Sequence, residues 1–183
     1  PPLDSSAASD VYKRQDISLE MLGRARQLAN GGSCSAIVFG GMKDRASELG
    51  AADRVLCVEG NDDFNPEAYA SAALEVIQAE SPDLVLVGST SMGMDIAPVL
   101  GVSMDLPVIS YCSGIENSGD GYEFTSQLYG GKMDVKSSAS KAVAMVLAGS
   151  FSADDGKSGG SANVEDVSAV SYTHLTLPTN PEV

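Results

Sequence analysis

This sequence of 183 residues has no tryptophan, few other aromatic residues and a single histidine, His174. Aromatic residues make up 5% of the chain, and 11 Lys and Arg residues stand against 25 Asp and Glu residues, for a formal net charge of -14. Proteins that bind nucleic acids use basic side chains to neutralise phosphates and aromatic rings to stack on bases. The composition therefore argues against a nucleic-acid partner.

Cysteine is also scarce, and long apolar runs are missing. Cys34, Cys57 and Cys112 stand far apart, each in or beside an apolar strand-like run, which is typical of buried, reduced thiols rather than of a disulfide framework. With one histidine and no CxxC pair, a zinc site is not expected. No apolar run approaches the roughly 18 residues of a membrane span. We expect a cytoplasmic protein without metal or membrane insertion.

What the chain does have is a regular alternation of apolar runs and helical patterns. The runs at 36–39, 55–58 and 84–87 are apolar throughout, as expected for strands that helices cover on both faces of a parallel sheet. A helix start is clear at Asn65-Pro66-Glu67, where Asn is an N-cap residue and Pro suits the first helical position. The sequence thus predicts a Rossmann-like α/β fold.

The pattern changes after Pro107. Residues 108–115 and 122–128, separated by a polar turn at 116–121, predict a hairpin that extends the sheet in antiparallel fashion, and 142–147 predicts one more buried strand. We expect residues 16–151 to form the domain and the Ser/Asp/Gly-rich residues 152–170 to be a linker. Residues 1–15 and 171–183 lack matching periodicity and are interpreted as foreign or disordered flanks.

The candidate functional site is the turn after the run 84–87, formed by Gly88, Ser89, Thr90, Ser91 and Gly93. Such turns lie at the carboxyl ends of parallel strands, where a helix N-terminus can hold a nucleotide phosphate. Against this, the turn has no basic residue, matches no GxGxxG pattern and is followed by Asp95. The other interpretation is a packed strand–helix junction or a subunit interface that includes Met92, Met94, Val99, Leu100, Val102 and Met104. We expect no catalytic residue, because the hydroxyls have no histidine base.

Four segments resemble one family in order and spacing over Ser18 to Phe151: SLEMLGRARQLANGG, NPEAYASAALEVIQAESPDLVLVGSTSMGMDIAPVLG, the LYGGK element at 128–132, and AGSF at 148–151. They are similar to the N-terminal domain of the electron transfer flavoprotein alpha subunit, of the adenine nucleotide alpha hydrolase-like fold. Compared with that family, the first strand ahead of the first helix is missing here. Met94 replaces an arginine that is common in the family.

The resemblance implies a role. The intact protein would be a heterodimer with a beta subunit, with FAD bound in a C-terminal domain absent from this chain. It would carry electrons from flavin-dependent dehydrogenases to an acceptor such as a quinone oxidoreductase. This segment would then be a scaffold and subunit interface rather than an enzyme, with no cofactor of its own. The alternative is a free-standing adenine-nucleotide-binding α/β domain of the universal-stress-protein type.

Overall fold

A computed structural model describes residues 5–40, 46, 48–58, 65–157, 160 and 162–167, with side chains from residue 17 onward. Its elements follow in the order α1 (Ser5–Ala29), β1 (Ser35–Phe39), β2 (Arg54–Val58), α2 (Pro66–Glu80), β3 (Leu84–Gly88), α3 (Ser91–Met104), β4 (Val108–Ser118), β5 (Gly121–Leu128), β6 (Met133–Ala139), β7 (Ala142–Val146), a 3₁₀ segment (Ala153–Lys157) and β8 (Asn163–Val167). The predicted α/β class is confirmed.

The described strands form two hydrogen-bonded sheets, ordered β1-β2-β8 and β3-β7-β4-β5-β6. All pairs of the first sheet are parallel, as are β3 with β7 and β7 with β4. Strands β4, β5 and β6 pair in antiparallel fashion. The parallel sheet with an antiparallel extension is therefore confirmed, and so is the predicted strand β7, which is buried along its whole length. The sequence did not predict that the parallel strands divide into two sheets.

Local signals explain the boundaries of α2. The Asn65 side chain accepts hydrogen bonds from the backbone N–H groups of Glu67 and Ala68, and Pro66 occupies the first turn, as predicted. The helix ends at Ser81, whose left-handed backbone lets its N–H donate to the Ile77 carbonyl. Each end of α2 is thus set by residues in or directly beside that end of the helix.

The antiparallel part differs from its prediction in two ways. Strands β4 and β5 continue to the pairs Asn117 with Tyr122 and Ser118 with Gly121, so the turn is the short Gly119-Asp120 rather than 116–121. Gly119 takes the positive φ of 57° that this tight turn requires. Strand β6 was not predicted, because most of its side chains are exposed and polar.

Two predicted boundaries also need correction. The backbone of α1 is helical from Ser5, so it runs through most of the flank predicted at 1–15. The predicted linker contains the 3₁₀ segment and β8, which pairs in parallel with β2 from Asn163 to Val167. Strand β8 is held by backbone hydrogen bonds, which need no apolar sequence, so the polar composition of 152–170 did not reveal it. Residues 1–4 and 171–183, including His174, lie outside the described residues, and the foreign origin of 1–15 and 171–183 stays a prediction.

Candidate functional site

The five candidate residues lie together where β3 ends and α3 begins. Thr90 is the N-cap of α3, and its side-chain oxygen accepts a hydrogen bond from the Gly93 N–H at 3.1 Å. A Thr cap satisfies one of the helix donors that would otherwise need water or a ligand. The turn is therefore already capped by its own side chain.

Most of the backbone donors around this turn are also engaged. The N–H of Ser89 donates to the Val146 carbonyl at 2.7 Å, and the N–H of Thr90 donates to the Gly88 carbonyl at 2.7 Å. The N–H of Met94 donates to the Thr90 carbonyl at 2.9 Å. An anion bound through these amides would have to displace bonds that hold the strand, the turn and the helix together.

The glycines of the turn permit close packing. A Cβ atom at Gly93 would lie 1.9 Å from the Gly88 carbonyl oxygen, so the first turn of α3 sits directly on the end of β3. A Cβ atom at Gly88 would lie 3.0 Å from Cδ1 of Ile17 on α1. These approaches leave no room for a phosphate between the two glycines.

The charges around the turn also argue against a bound phosphate. Asp95, near the start of α3, is exposed and negatively charged. The ion pairs found among the described residues all lie in other parts of the chain: Arg26 with Asp53, Arg54 with Glu80 and Glu165, Lys136 with Glu123, Lys141 with Asp83, and Lys157 with Asp154. A nucleotide phosphate is normally bound by a cationic side chain or metal ion, or by free backbone amides. The described residues of this turn thus do not fit the phosphates of FAD or of a free nucleotide.

One polar atom at the turn has no explanation from packing. Ser89 Oγ is shielded from solvent and has no hydrogen-bond partner among the described residues. A buried hydroxyl without a partner costs about 1–3 kcal/mol. This is the single observation at the turn that favours an additional binding partner.

The cysteines do not form a second site. None of the three forms a disulfide, and all three are buried, as predicted. Burial raises the pKa of the Cys34 and Cys112 thiols, which keeps them protonated and unreactive. In the part of the chain that the structure describes, no group of three or more His, Cys, Asp or Glu residues is placed to hold a metal ion.

Helix α3 has an apolar outer surface. Its inner side, which includes Ile96, Ala97 and Leu100, is buried in the core, and Met104 packs against the same cluster. Its outer side carries four exposed apolar residues, which we call the α3 outer face: Met92, Met94, Val99 and Val102. Val102 is 85% exposed. Of the six residues considered from the sequence, four therefore remain available for contact and two belong to the core.

A second exposed apolar group was not expected from the sequence. Its members are individually exposed residues of β4, of the turn after β5 and of β6, and we call them the meander patch: Tyr111, Tyr129, Met133 and Val135. Tyr111 and Tyr129 both have a φ of 53°, unusual for a bulky residue. Tyr111 stands where the register between β4 and β7 shifts. The YGGK element was the only sequence signal near this patch.

Sequence reasoning also missed a buried carboxylate that holds the chain after β7 against α1. Glu20 on α1 is 5% exposed and accepts hydrogen bonds from the N–H groups of Gly149 (2.8 Å) and Phe151 (3.4 Å). Arg24, one turn later, lies 5.5 Å above the Phe151 ring and donates to the Ile115 carbonyl. These contacts join residues more than 90 positions apart, so no local pattern could reveal them.

Comparison with known proteins identifies the family. Residues 7–171 match the family model described as "Electron transfer flavoprotein domain". The electron transfer flavoprotein alpha subunit of Megasphaera elsdenii is 31% identical over 130 residues, 66% of this chain and 38% of that protein. The alpha subunit of Bacillus subtilis is 28% identical over 123 residues, 64% of this chain and 38% of that protein.

A third relative carries a different name. The acryloyl-CoA reductase electron transfer subunit beta of Anaerotignum propionicum is 26% identical over 104 residues, 53% of this chain and 28% of that protein. The chain therefore spans well under half the length of these relatives. None of the described helices has both the length and the apolar character needed to cross a membrane. Because the family model covers nearly the whole sequence, the chain belongs to the electron transfer flavoprotein domain family.

Proposed function

We propose that this chain is the N-terminal part of an electron transfer flavoprotein alpha subunit, where it acts as a scaffold and as a contact surface for the beta subunit. The observation that carries this proposal is the α3 outer face, a group of exposed apolar side chains beside a turn that does not fit a phosphate. The chain would thus contribute shape and contact area to an electron carrier, with no catalytic residue of its own.

The chemistry of the α3 outer face supports a protein partner. Contiguous exposed apolar groups on soluble domains mark interaction sites, and methionines adapt to the shape of a partner. Among the described residues of α3, Asp95 and the serines are the polar side chains between these apolar ones. Fully burying a Val or Met side chain gains about 1.5–3 kcal/mol, so this face alone could contribute substantially to binding.

The rest of the proposed assembly lies outside this chain. We propose that FAD binds in a C-terminal domain of the intact subunit, where it supplies the redox chemistry. We propose further that the heterodimer works in the cytoplasm and carries electrons from flavin-dependent dehydrogenases to an acceptor such as a quinone oxidoreductase. The matched region is only 38% of the Bacillus subtilis relative, which leaves ample sequence for such a domain.

A hybrid protein tests the proposal. The matched region of the Bacillus subtilis alpha subunit is replaced by this chain, and the hybrid is expressed together with the beta subunit of that organism. We expect the two to co-purify with bound flavin, as the unmodified Bacillus alpha subunit should in the matched control. A hybrid that folds and binds flavin but leaves the beta subunit free contradicts the proposal.

One observation, the unpartnered Ser89 Oγ, favours the alternative of a free-standing nucleotide-binding domain. Calorimetric titration of the whole chain with AMP and ATP separates the two functions. We expect binding weaker than about 1 mM, because the turn offers no cation and few free amides. Micromolar binding that is lost in Gly93→Leu supports the alternative.

A further inference from the structure

Strand β6 leaves one edge of the second sheet unpaired. Among the described strands it is hydrogen-bonded only to β5, as the last member of the order β3-β7-β4-β5-β6. Its pairing with β5 runs without a register shift from Tyr122 with Ala139 to Leu128 with Met133. The outer edge of β6 therefore presents a regular row of backbone N–H and C=O groups over 7 residues, to which another strand can pair.

The sequence of β6 leaves this edge open to a second strand. It reads MDVKSSA and contains neither proline nor glycine, and most of its residues are exposed. Its charged residues are Asp134 and Lys136. Charged side chains on an edge strand normally hinder pairing with another strand. Whether they do so here depends on which residues face each other across the new pair.

The two sides of β6 differ in character. Ser137 lies opposite Phe124, whose side chain is fully buried, so the odd-numbered residues of β6 face the core side of the sheet. Asp134 and Lys136 face the outer side, where the Lys136 ammonium lies 2.6 Å from the Glu123 carboxylate. The charges of β6 therefore share one side, at alternate positions.

Only one antiparallel register between two copies of β6 places opposite charges directly across from each other. With a two-fold axis at Val135, Asp134 of each copy lies opposite Lys136 of the other. An axis at Lys136 would pair more residues of the strands but would place the two lysines opposite each other. Registers shifted by one residue would turn the core side of one copy towards the outer side of the other. Because opposite charges across a strand pair are favourable and like charges are not, β6 is complementary to itself in the register centred on Val135.

The same register covers apolar side chains. Val135, which is 38% exposed, would lie opposite Val135 of the second copy. Met133, which is 50% exposed, would lie opposite Ser137 of the second copy. Both residues belong to the meander patch, and both lie on the core side of the sheet. The pairing would thus shield part of that patch from water, which is favourable for apolar side chains.

We propose that two copies of this chain associate through the outer edges of β6, in antiparallel register about a two-fold axis at Val135, so that their sheets continue into one. The interface is isologous, and Asp134 and Lys136 each contribute to it twice. One strand pair gives a small interface, so we expect a weak dimer with a Kd on the order of 100 µM. The inference does not depend on the proposed electron-carrier function.

Two charge variants, measured alone and mixed, test this register. Asp134→Lys places lysines at both charged positions of β6, and Lys136→Asp places aspartates at both. We expect each variant alone to dimerise at least about tenfold more weakly than the unmodified chain, because like charges then face each other. An equal mixture of the two should form a heterodimer within about threefold of the unmodified affinity, because every facing pair is again of opposite charge. Sedimentation velocity at about 0.15 M salt, where the screening length is about 8 Å, measures the association.

The matched controls make the same changes of net charge away from this edge. Asp120→Lys lies in the turn between β4 and β5, and Lys157→Asp lies in the 3₁₀ segment, both at exposed positions. We expect both controls to dimerise like the unmodified chain. Controls that weaken the dimer as much as the edge variants, or a mixture of edge variants that stays as weak as either one alone, would overturn the inference. So would an unmodified chain that is monomeric at about 1 mM.

Hydrogen exchange locates the contact without any substitution, and it decides the question if the edge variants do not fold. We expect the amides of residues 133–139 to exchange more slowly at about 500 µM chain than at about 10 µM, with α2 as the internal control that does not change. Protection of the α3 outer face instead of β6 would overturn the inference. So would a chain that is monomeric by itself but whose β6 becomes protected by the Bacillus subtilis beta subunit, because the edge would then pair with another polypeptide.

Discussion

A substitution at Gly93 tests most directly whether the turn is a packed junction between β3 and α3. Because a Cβ atom there would lie 1.9 Å from the Gly88 carbonyl, α3 must move away from β3 to accept any side chain. We expect Gly93→Ala to lower the free energy of unfolding by about 2–3 kcal/mol, measured by urea denaturation. The neighbouring exposed Ser91→Ala is the matched control and should change it by less than about 0.5 kcal/mol. A Gly93→Ala variant as stable as this control would show that the junction is looser than described.

Substitutions at the adjacent hydroxyl residues Ser89 and Thr90 are expected to have different effects on the free energy of unfolding. Ser89 Oγ is buried without a partner, so Ser89→Ala should leave stability unchanged or raise it by about 1 kcal/mol. Thr90 caps α3, so Thr90→Ala should lower it by about 1 kcal/mol. Urea denaturation of both variants measures the difference. A clear loss of stability in Ser89→Ala would mean that its hydroxyl has a partner within the protein, which would remove the one observation that favours the nucleotide-binding alternative.

We expect the stability of the fold to depend on pH through the carboxylate of Asp53. The Arg26 guanidinium, 2.6 Å from the carboxylate, and the N–H of Cys34 together hold the pKa of Asp53 below its usual value. The folded state therefore binds this proton less readily than the unfolded chain, whose Asp pKa is about 3.9. The stabilisation is complete above that pH and is lost as the pH falls through the lower folded pKa. We expect Asp53→Asn to lose less stability than the unmodified chain between pH 6 and pH 3, and identical acid profiles would contradict this.

At the scale of elements, Glu20 fixes the chain after β7 to α1. Removing its carboxylate leaves the N–H groups of Gly149 and Phe151 without their acceptor in a partly buried setting. We expect Glu20→Ala to cost about 1–3 kcal/mol and to speed hydrogen exchange at residues 149–151. Glu116→Ala, at an exposed position, is the control and should do neither. Unchanged exchange in Glu20→Ala would show that other contacts hold this segment.

The elements also show what the sequence could and could not predict. Helix α2 and strand β7 were predictable, because capping residues and continuous apolar runs are local signals. Strands β6 and β8 were not, since their residues are mainly exposed and backbone pairing holds them. The turn after β3 was located correctly and its lack of basic residues was visible in the sequence, but its packing became clear only when the fold brought Ile17 and Val146 beside it. Glu20 was missed because its partners are far away in the chain.

At the scale of the whole molecule, the described residues expose two named groups of apolar side chains to other polypeptides: the α3 outer face and the meander patch. The strong negative charge of -14 keeps the remaining surface hydrated and makes nucleic acid an unsuitable partner. A domain with this distribution is suited to assembly with other protein segments. In the turn before α3, the candidate site for a small molecule, most of the backbone donors are already engaged in hydrogen bonds.

The affinity of the hybrid alpha subunit for the beta subunit tests the interface most directly. Val102→Asp places a charge on the most exposed residue of the α3 outer face, and Gln78→Asp places the same charge at an exposed position of α2 as the matched control. We predict that Val102→Asp weakens binding at least about tenfold, a loss of about 1.4 kcal/mol, while Gln78→Asp changes it by less than about twofold. Equal affinities for the unmodified hybrid and Val102→Asp would contradict the assignment of the α3 outer face as the subunit interface.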